Sequence, residues 1–125
     1  MEKPAELCPV IAVRRFILLP DQEVIVRLGL PFTSDGFPGE SRCPIQIEGL
    51  GSGKIRHVVG IDAFQSLWLA LLHIGTLLYT SEEYKSGRLF AFEGDPDLCL
   101  PVHDDFRDLL PPLPERPPGH IPPAI

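Results

Sequence analysis

A cysteine, a histidine and an aspartate that could support nucleophilic catalysis lie near the middle of the chain. Cys43 and His57 fall on two neighbouring predicted strands, and Asp62 follows the second strand. Such catalysis needs a nucleophile, a base and an orienting group brought together in space. Cys43, however, stands before a proline at the start of its strand, and His57 shares its predicted strand face with Ile55 and Val59. We therefore interpret both side chains as structural and predict no catalytic residue.

A glycine-rich run at residues 49–54, Gly-Leu-Gly-Ser-Gly-Lys, resembles a phosphate-binding loop in composition. That loop needs a glycine, four residues, then Gly-Lys-Ser/Thr, with a helix beginning directly after it. Here Glu48 occupies the position of the first glycine, and Ile55 replaces the Ser/Thr. The element that follows reads as a strand, so the run predicts a hairpin turn.

The histidines do not have metal-ligand spacing. No two of them are four residues apart; they are His57, His73, His103 and His120. The acidic residues around His103 could gather a hard cation, but a charged helix end has the same composition without binding one. We predict no metal and no cofactor.

The negative charge lies mostly in the second half of the chain. The formal net charge is −6, and residues 62–125 hold ten acids against four bases. A negative surface speeds association with a basic partner and repels nucleic acids and anionic membranes. We expect the partner to be a basic protein that contacts the densest acidic stretch, namely Glu93, Asp95, Asp97, Asp104, Asp105 and Asp108. The alternative is a solvated face that only keeps the protein soluble.

Alternating apolar residues predict an antiparallel sheet. Residues 10–19 and 23–30 flank a Pro-Asp turn and read as one hairpin, and residues 43–48 and 54–59 read as a second hairpin. Residues 89–92 add a strand after the helix described below. The predicted fold is α+β, with four to five antiparallel strands packed on one long α-helix.

The long helix is predicted over residues 62–79. Asp62 has N-cap chemistry, and Gln65 completes a capping-box pattern. Leu71 is expected near the centre of the core, in an apolar stripe of Phe64, Leu67, Leu71, Ile74 and Leu78. The opposite side is polar, and consists of Asp62, Gln65, Ser66, His73, Thr76 and Thr80.

A second apolar strip on this helix predicts self-association. Trp68, Leu69 and Leu72 lie beside the polar side and would stay uncovered if the helix met only one sheet. Either a proline-rich arm or a second copy would cover them, and a two-fold homodimer is the simpler arrangement.

The chain of 125 residues is expected to hold one domain. We place a short extension at residues 1–9, the domain at 10–102, and an acidic, then proline-rich arm at 103–125, where polyproline II is favoured. The cysteines are three and widely spaced, and the first residues lack a secretory pattern. These features favour a reducing cytoplasm, and the longest apolar run, at residues 67–72, is too short to span a membrane.

Residues 43–72 resemble a family of small bacterial proteins with no assigned function. The resemblance rests on CPIQIEGLG at residues 43–51 and on the Gly60-Ile61-Asp62-Ala63 helix start with Gln65 and Leu67. Ser66 stands where that family has alanine. The resemblance covers roughly residues 10–102 and implies an α+β fold and a bacterial origin. The motif itself carries no catalytic role with it.

Two classes of function follow. The first is a non-catalytic protein-binding domain, such as a toxin-neutralising (immunity-type) protein or an adaptor. The second is a small-ligand-binding protein or an enzyme with a pocket between helix and sheet, lined by Gln46, Glu48, Arg56 or His57. An exposed apolar or acidic surface favours the first class, and a deep polar cleft favours the second.

Overall fold

The computed structural model describes residues 7, 9–33, 36 and 38–110. The predicted polyproline arm beyond residue 110 lies outside these residues. In the described ranges no helix is both long enough and apolar enough to cross a bilayer.

Five antiparallel strands form one sheet, as predicted. They are β1 (Val10–Leu18), β2 (Gln22–Gly29), β3 (Ser41–Glu48), β4 (Arg56–Gly60) and β5 (Leu89–Phe90). Their order across the sheet is β4-β3-β2-β1-β5, so β4 and β5 form the two edges. Both hairpins lie where the alternating patterns and the Pro-Asp and glycine-rich turns predict them.

One helix covers one face of this sheet and links its two edge strands in the sequence. Helix α1 (Ala63–Tyr79) is capped by Asp62, whose Oδ1 accepts a hydrogen bond from the Gln65 amide at 2.8 Å. The Gln65 side chain reaches back and accepts from the Ile61 amide at 2.8 Å. The predicted capping box is therefore present, although its return bond goes to the residue before the cap. The α+β prediction is confirmed.

Helix α1 is rotated relative to the predicted core stripe. Its most buried apolar residues are Ala70, Ile74 and Leu78, whereas Leu71 is only half-buried at the edge of the core. The cause is close packing on β4. A Cβ on Gly60 would lie 2.5 Å from the Ser66 amide nitrogen, so this position of the strand has room only for glycine.

Ser66 faces the sheet instead of solvent because of this rotation, so its predicted place on the polar side is wrong. Its side chain is fully buried and its hydroxyl lies 3.1 Å from the Ser41 hydroxyl of β3. A buried hydroxyl is costly unless it is hydrogen-bonded. The Ser66 hydroxyl also donates to the Ala63 carbonyl at 3.3 Å, so the proton shared between the two serines comes from Ser41.

The inward face of β4 is also the opposite of the predicted one. The strand begins at Arg56, two residues later than expected, and Val58 pairs with the buried Cys43. Directly paired residues point to the same side of a sheet, so Val58 faces the helix. His57 and Val59 face the other way, and Val59 is 41% exposed.

After α1 the chain turns back through helix α2 (Glu82–Lys85) and β5, then crosses the outer face of α1. The Tyr79 hydroxyl accepts a hydrogen bond from the Leu98 amide at 2.9 Å, and an Arg14 guanidinium nitrogen donates to the Cys99 carbonyl at 2.9 Å. Gly75 allows the crossing, because a Cβ there would collide with the Pro101 carbonyl oxygen. We call residues 98–102 the crossing segment.

A short 3₁₀ helix, Asp104–Leu109, follows the crossing segment. It lies in the acidic first part of the predicted arm at residues 103–125. Residues 98–100 do not belong to any strand of the sheet.

Candidate functional site

Three large apolar side chains at the start of α1 are exposed to solvent. Ile61 is 71% exposed, Phe64 87% and Trp68 54%. Phe64 and Trp68 are four residues apart and therefore lie on one side of α1. Ile61 directly precedes the Asp62 cap, at the start of the same helix. We call these three residues the apolar strip. Scattered apolar residues are normal on protein surfaces, whereas a contiguous group of this size marks a contact site.

The crossing segment explains why only the first half of this helix side is bare. Gly75 lies eleven residues beyond Phe64 and seven beyond Trp68, and Tyr79 lies eleven beyond Trp68. These spacings are close to whole numbers of helical turns, so Gly75 and Tyr79 continue the side that carries Phe64 and Trp68. The crossing segment packs on Gly75 and Tyr79 through Pro101 and Leu98. The described chain thus covers the second half of the side and leaves the first half open.

A groove of about 380 Å³ adjoins the apolar strip. The groove lies between α1, the edge strand β4 and the 3₁₀ helix. Leu69 and Leu72 form part of its wall, and Trp68 precedes them by one residue and by one helical turn, respectively. The groove is lined by His57, Val58, Leu69, Leu72, His73, Thr76, His103 and Phe106. Its volume falls within the range typical of ligand or anchor pockets.

The residues predicted for self-association differ in exposure. Trp68 is half-exposed, Leu69 is partly buried, and Leu72 is 7% exposed at the groove wall. The apolar pattern places Phe64 in the core stripe, so the sequence does not indicate it as a surface residue, and Ile61 lies before the predicted helix. The four-residue spacing of Phe64 and Trp68 is visible in the sequence, but only the observed rotation of the helix shows that this side is exposed.

The acidic residues border this site unequally. Asp104, Asp105 and Asp108 are exposed on the 3₁₀ helix, whose Phe106 lines the groove. Asp104 is paired with Arg107 at 3.0 Å. Glu93 and Asp95 are exposed before the crossing segment, and the Asp95 carboxylate accepts from the Asp97 amide at 2.9 Å.

Asp97 serves the fold. It is half-buried, and its Oδ1 accepts hydrogen bonds from the Cys99 amide at 2.8 Å and from the Tyr79 hydroxyl at 3.4 Å. Together with burial, this neighbouring carboxylate raises the pKa of Tyr79, because it disfavours a second negative charge.

The structure separates the three residues considered for nucleophilic catalysis. Cys43 points into the core, where its Sγ donates weakly to the Gly29 carbonyl at 3.6 Å and burial raises its pKa to about 11. A thiol held in its protonated form is a poor nucleophile. His57 lies on the opposite sheet face, with its ring edge-on to Phe32 at 5.5 Å, and Asp62 is occupied as the helix cap.

Three histidines that are distant in sequence line the same groove, which their spacing could not reveal. Burial lowers the pKa of His73, and the positive charge of Arg56 lowers it further. His73 is therefore neutral at pH 7, so it presents one donor and one acceptor to the groove. Among the described residues, no three His, Cys, Asp or Glu side chains are placed to hold a metal ion.

The fold and site define a small α+β domain with a bare apolar helix surface beside a groove. Residues 12–102 match the model of the family described as a domain of unknown function, DUF6968. The chain belongs to this family. No match was found among the curated proteins, and none among the solved structures.

Proposed function

We propose that this protein is a non-catalytic protein-binding domain that holds a basic partner on the apolar strip and the adjoining groove. The observation that carries the proposal is the strip itself, because Phe64 and Trp68 are the large apolar side chains of α1 that are exposed, and the exposed Ile61 directly precedes the helix cap. Leaving them in water costs free energy that a partner recovers by covering them.

Aromatic side chains supply much of the binding energy in protein interfaces. Full burial of one large apolar side chain contributes on the order of 1.5–3 kcal/mol. Phe64 and Trp68 would form the centre of the contact, and the groove would receive one anchoring side chain of the partner between Leu69 and Phe106.

Charge favours a basic partner over a second copy of this chain. Exposed acids on the 3₁₀ helix stand beside the groove, and the chain carries a net charge of −6. A basic surface is drawn to these acids, whereas a second acidic copy meets like charge at the rim. The homodimer is therefore the competing occupant of the strip.

Within this class, we propose a toxin-neutralising or adaptor role in a bacterial cytoplasm. A small acidic domain suits the neutralisation of a basic toxin, since steering by charge speeds their encounter. The odd number and wide spacing of the cysteines support the reducing compartment.

The contact surface is tested by capture from the native cell extract with two matched variants. Phe64→Ser/Trp68→Ser removes the aromatic part of the strip. Ile11→Ser/Val13→Ser removes two apolar side chains of β1 that are 45% and 53% exposed. We expect the parent chain and the β1 variant to capture the same basic protein in similar amounts, and the strip variant to capture at least about tenfold less of it. Equal capture by both variants would contradict the proposal.

The role of the acids is tested on the captured partner by stopped-flow association. Asp105→Lys/Asp108→Lys reverses two exposed charges of the 3₁₀ helix, and Asp21→Lys/Glu82→Lys reverses two exposed charges elsewhere. The first pair should slow association several-fold at low salt and much less at high salt, because salt screens exposed charges beyond roughly 10 Å at 0.1 M. If the two pairs behave alike, only net charge matters and the acidic rim is a solvated face.

A further inference from the structure

A second hollow, of about 120 Å³, lies at the other end of the cleft between α1 and β4. The glycine-rich turn at residues 49–54 forms one wall, and β3 and the end of α1 form the others. Its apolar lining consists of Ile45, Ile47, Leu50, Leu77 and Leu78. An apolar cavity of roughly 150 Å³ holds a benzene-sized molecule, so this hollow has room for a hydrocarbon group of about that size.

The turn that closes the hollow is held in place from two sides. The Gln46 side-chain amide donates to the Gly53 carbonyl at 3.0 Å. Gly49, at φ +97°, packs so closely on β2 that a Cβ would lie 2.7 Å from the Glu23 carbonyl oxygen. The hollow is therefore preformed, and a ligand would not have to order the turn.

Two cations stand at the rim of this hollow in an otherwise acidic protein. Lys54 and Arg56 line it and are exposed. Neither has an ion-pair partner within the described part of the chain, whereas Arg15 and Arg27 of the same sheet pair with Glu23 and Glu48. An apolar floor below two unpaired cations is complementary to a molecule with a short hydrocarbon body and one negative head group.

We propose that this hollow binds a small amphipathic carboxylate, with its hydrocarbon chain between Leu50 and Leu77 and its carboxylate at Lys54 and Arg56. This site is separate from the apolar strip, and its existence does not depend on the proposed protein partner. The ligand class follows from the chemistry of the lining: apolar contacts give affinity, and the two cations select a carboxylate over a neutral alcohol of equal length.

Hexanoate and hexanol are the probes, and backbone amide chemical shifts of the full chain are the readout. We expect hexanoate to shift the amides of residues 50–56, Leu77 and Leu78 in a saturable manner, and hexanol to bind more weakly. Lys54→Gln/Arg56→Gln should weaken the affinity for hexanoate roughly five- to tenfold and leave the affinity for hexanol unchanged. Lys85→Gln/Arg107→Gln, which removes two exposed cations elsewhere, should bind hexanoate as the parent chain does.

A filling variant tests the apolar half of the site. Leu77→Phe should abolish binding of both probes while the thermal midpoint stays close to that of the parent. Should this variant be destabilised, Leu50→Phe in the turn provides the same test.

Three results would each overturn the proposal. They are the absence of a saturable shift with hexanoate, equal binding of the two probes, and unchanged hexanoate binding in Lys54→Gln/Arg56→Gln. Phe64→Ser/Trp68→Ser should bind hexanoate normally, so failure of the protein-binding proposal is a separate result.

Discussion

Small side chains determine how closely α1 approaches its neighbours. Ser66 and Ala70 are fully buried one helical turn apart, and Gly60 lets the backbone of β4 reach the first turn of the helix. Once these residues face the strand, Ala70, Ile74 and Leu78 point into the core and Phe64 points into solvent. The exposed aromatic surface is thus a consequence of where the small residues pack.

The rotation of α1 is tested by two equal truncations on the same helix. Leu78→Ala removes a fully buried side chain and should lower the free energy of unfolding by about 2–5 kcal/mol. Leu71→Ala removes a half-buried one and should cost clearly less. Urea unfolding of both variants measures the difference. A larger loss for Leu71→Ala would restore the helix orientation expected from the apolar stripe.

Burial of Cys43 makes stability depend on alkaline pH. Its pKa rises from 9.0 in the unfolded chain to about 11 in the fold, because burial disfavours the thiolate. The stabilisation is therefore fully present below pH 9 and is lost between about pH 9 and 11, up to about 3 kcal/mol. Urea unfolding across this range should show a smaller decline in Cys43→Ala. An identical decline in the variant and the parent would show that the thiol is not protected.

At the scale of elements, the crossing segment divides the outer side of α1 into a covered and a bare half. Gly75 permits its approach, and the Tyr79 hydroxyl and Arg14 hold it in place. The helix end is therefore part of the core on both sides, whereas the helix start is packed on the sheet side alone.

Gly75→Ala should displace the crossing segment. The added methyl group would collide with the Pro101 carbonyl, and overpacking of this kind costs typically 1–3 kcal/mol. We expect lower stability towards urea and faster hydrogen exchange at the Leu98 amide, which bonds to Tyr79. Thr76→Ala, on the adjacent half-buried residue, is the control and should leave that exchange rate nearly unchanged. Slow exchange in the glycine variant would show that the segment is held without this close approach.

Element types were predictable from the sequence because their signals are local. Strand alternation, the turn residues and the Asp62 cap each act within a few residues, and the structure contains the elements they predict. The sequence did not reveal which sides of β4 and α1 point into the core. These orientations depend on the late start of β4 and on the contact between Gly60 and Ser66.

The candidate site was predictable only in part for the same reason. Trp68 and the acidic residues could be identified from their residue types and positions in the sequence, whereas the groove forms only where β4, α1 and the 3₁₀ helix meet. His57 comes from β4, and His103 comes from the residue before the 3₁₀ helix. No local pattern contains that information.

At the scale of the whole molecule, the balance of charge and apolar surface governs association. An exposed strip favours pairing of two copies, and the net charge of −6 opposes it. Salt screens the repulsion without weakening apolar contacts, so the two effects can be separated by experiment.

Self-association should therefore increase with salt. Light scattering on the full chain is expected to show a mass moving from monomer towards dimer as ionic strength rises, and Phe64→Ser/Trp68→Ser should remain monomeric. A chain ending at Leu110 tests the arm, since more dimer in the shorter chain indicates that residues 111–125 compete for the strip. A monomer at every salt concentration for both chain lengths would rule out the homodimer.

The central claim, that a protein partner covers the apolar strip, is tested most directly by the fluorescence of Trp68, the single tryptophan of the chain. Trp68 is half-exposed in the isolated protein, so covering it should move its emission to shorter wavelength and protect it from a soluble quencher. When the captured partner is titrated into the protein, we predict that the emission wavelength of Trp68 and its quenching both change and then saturate. The partner used should contain no tryptophan, or have its tryptophans substituted, so that the signal comes from Trp68 alone. A partner that binds stoichiometrically while the emission and quenching of Trp68 stay unchanged would contradict the account.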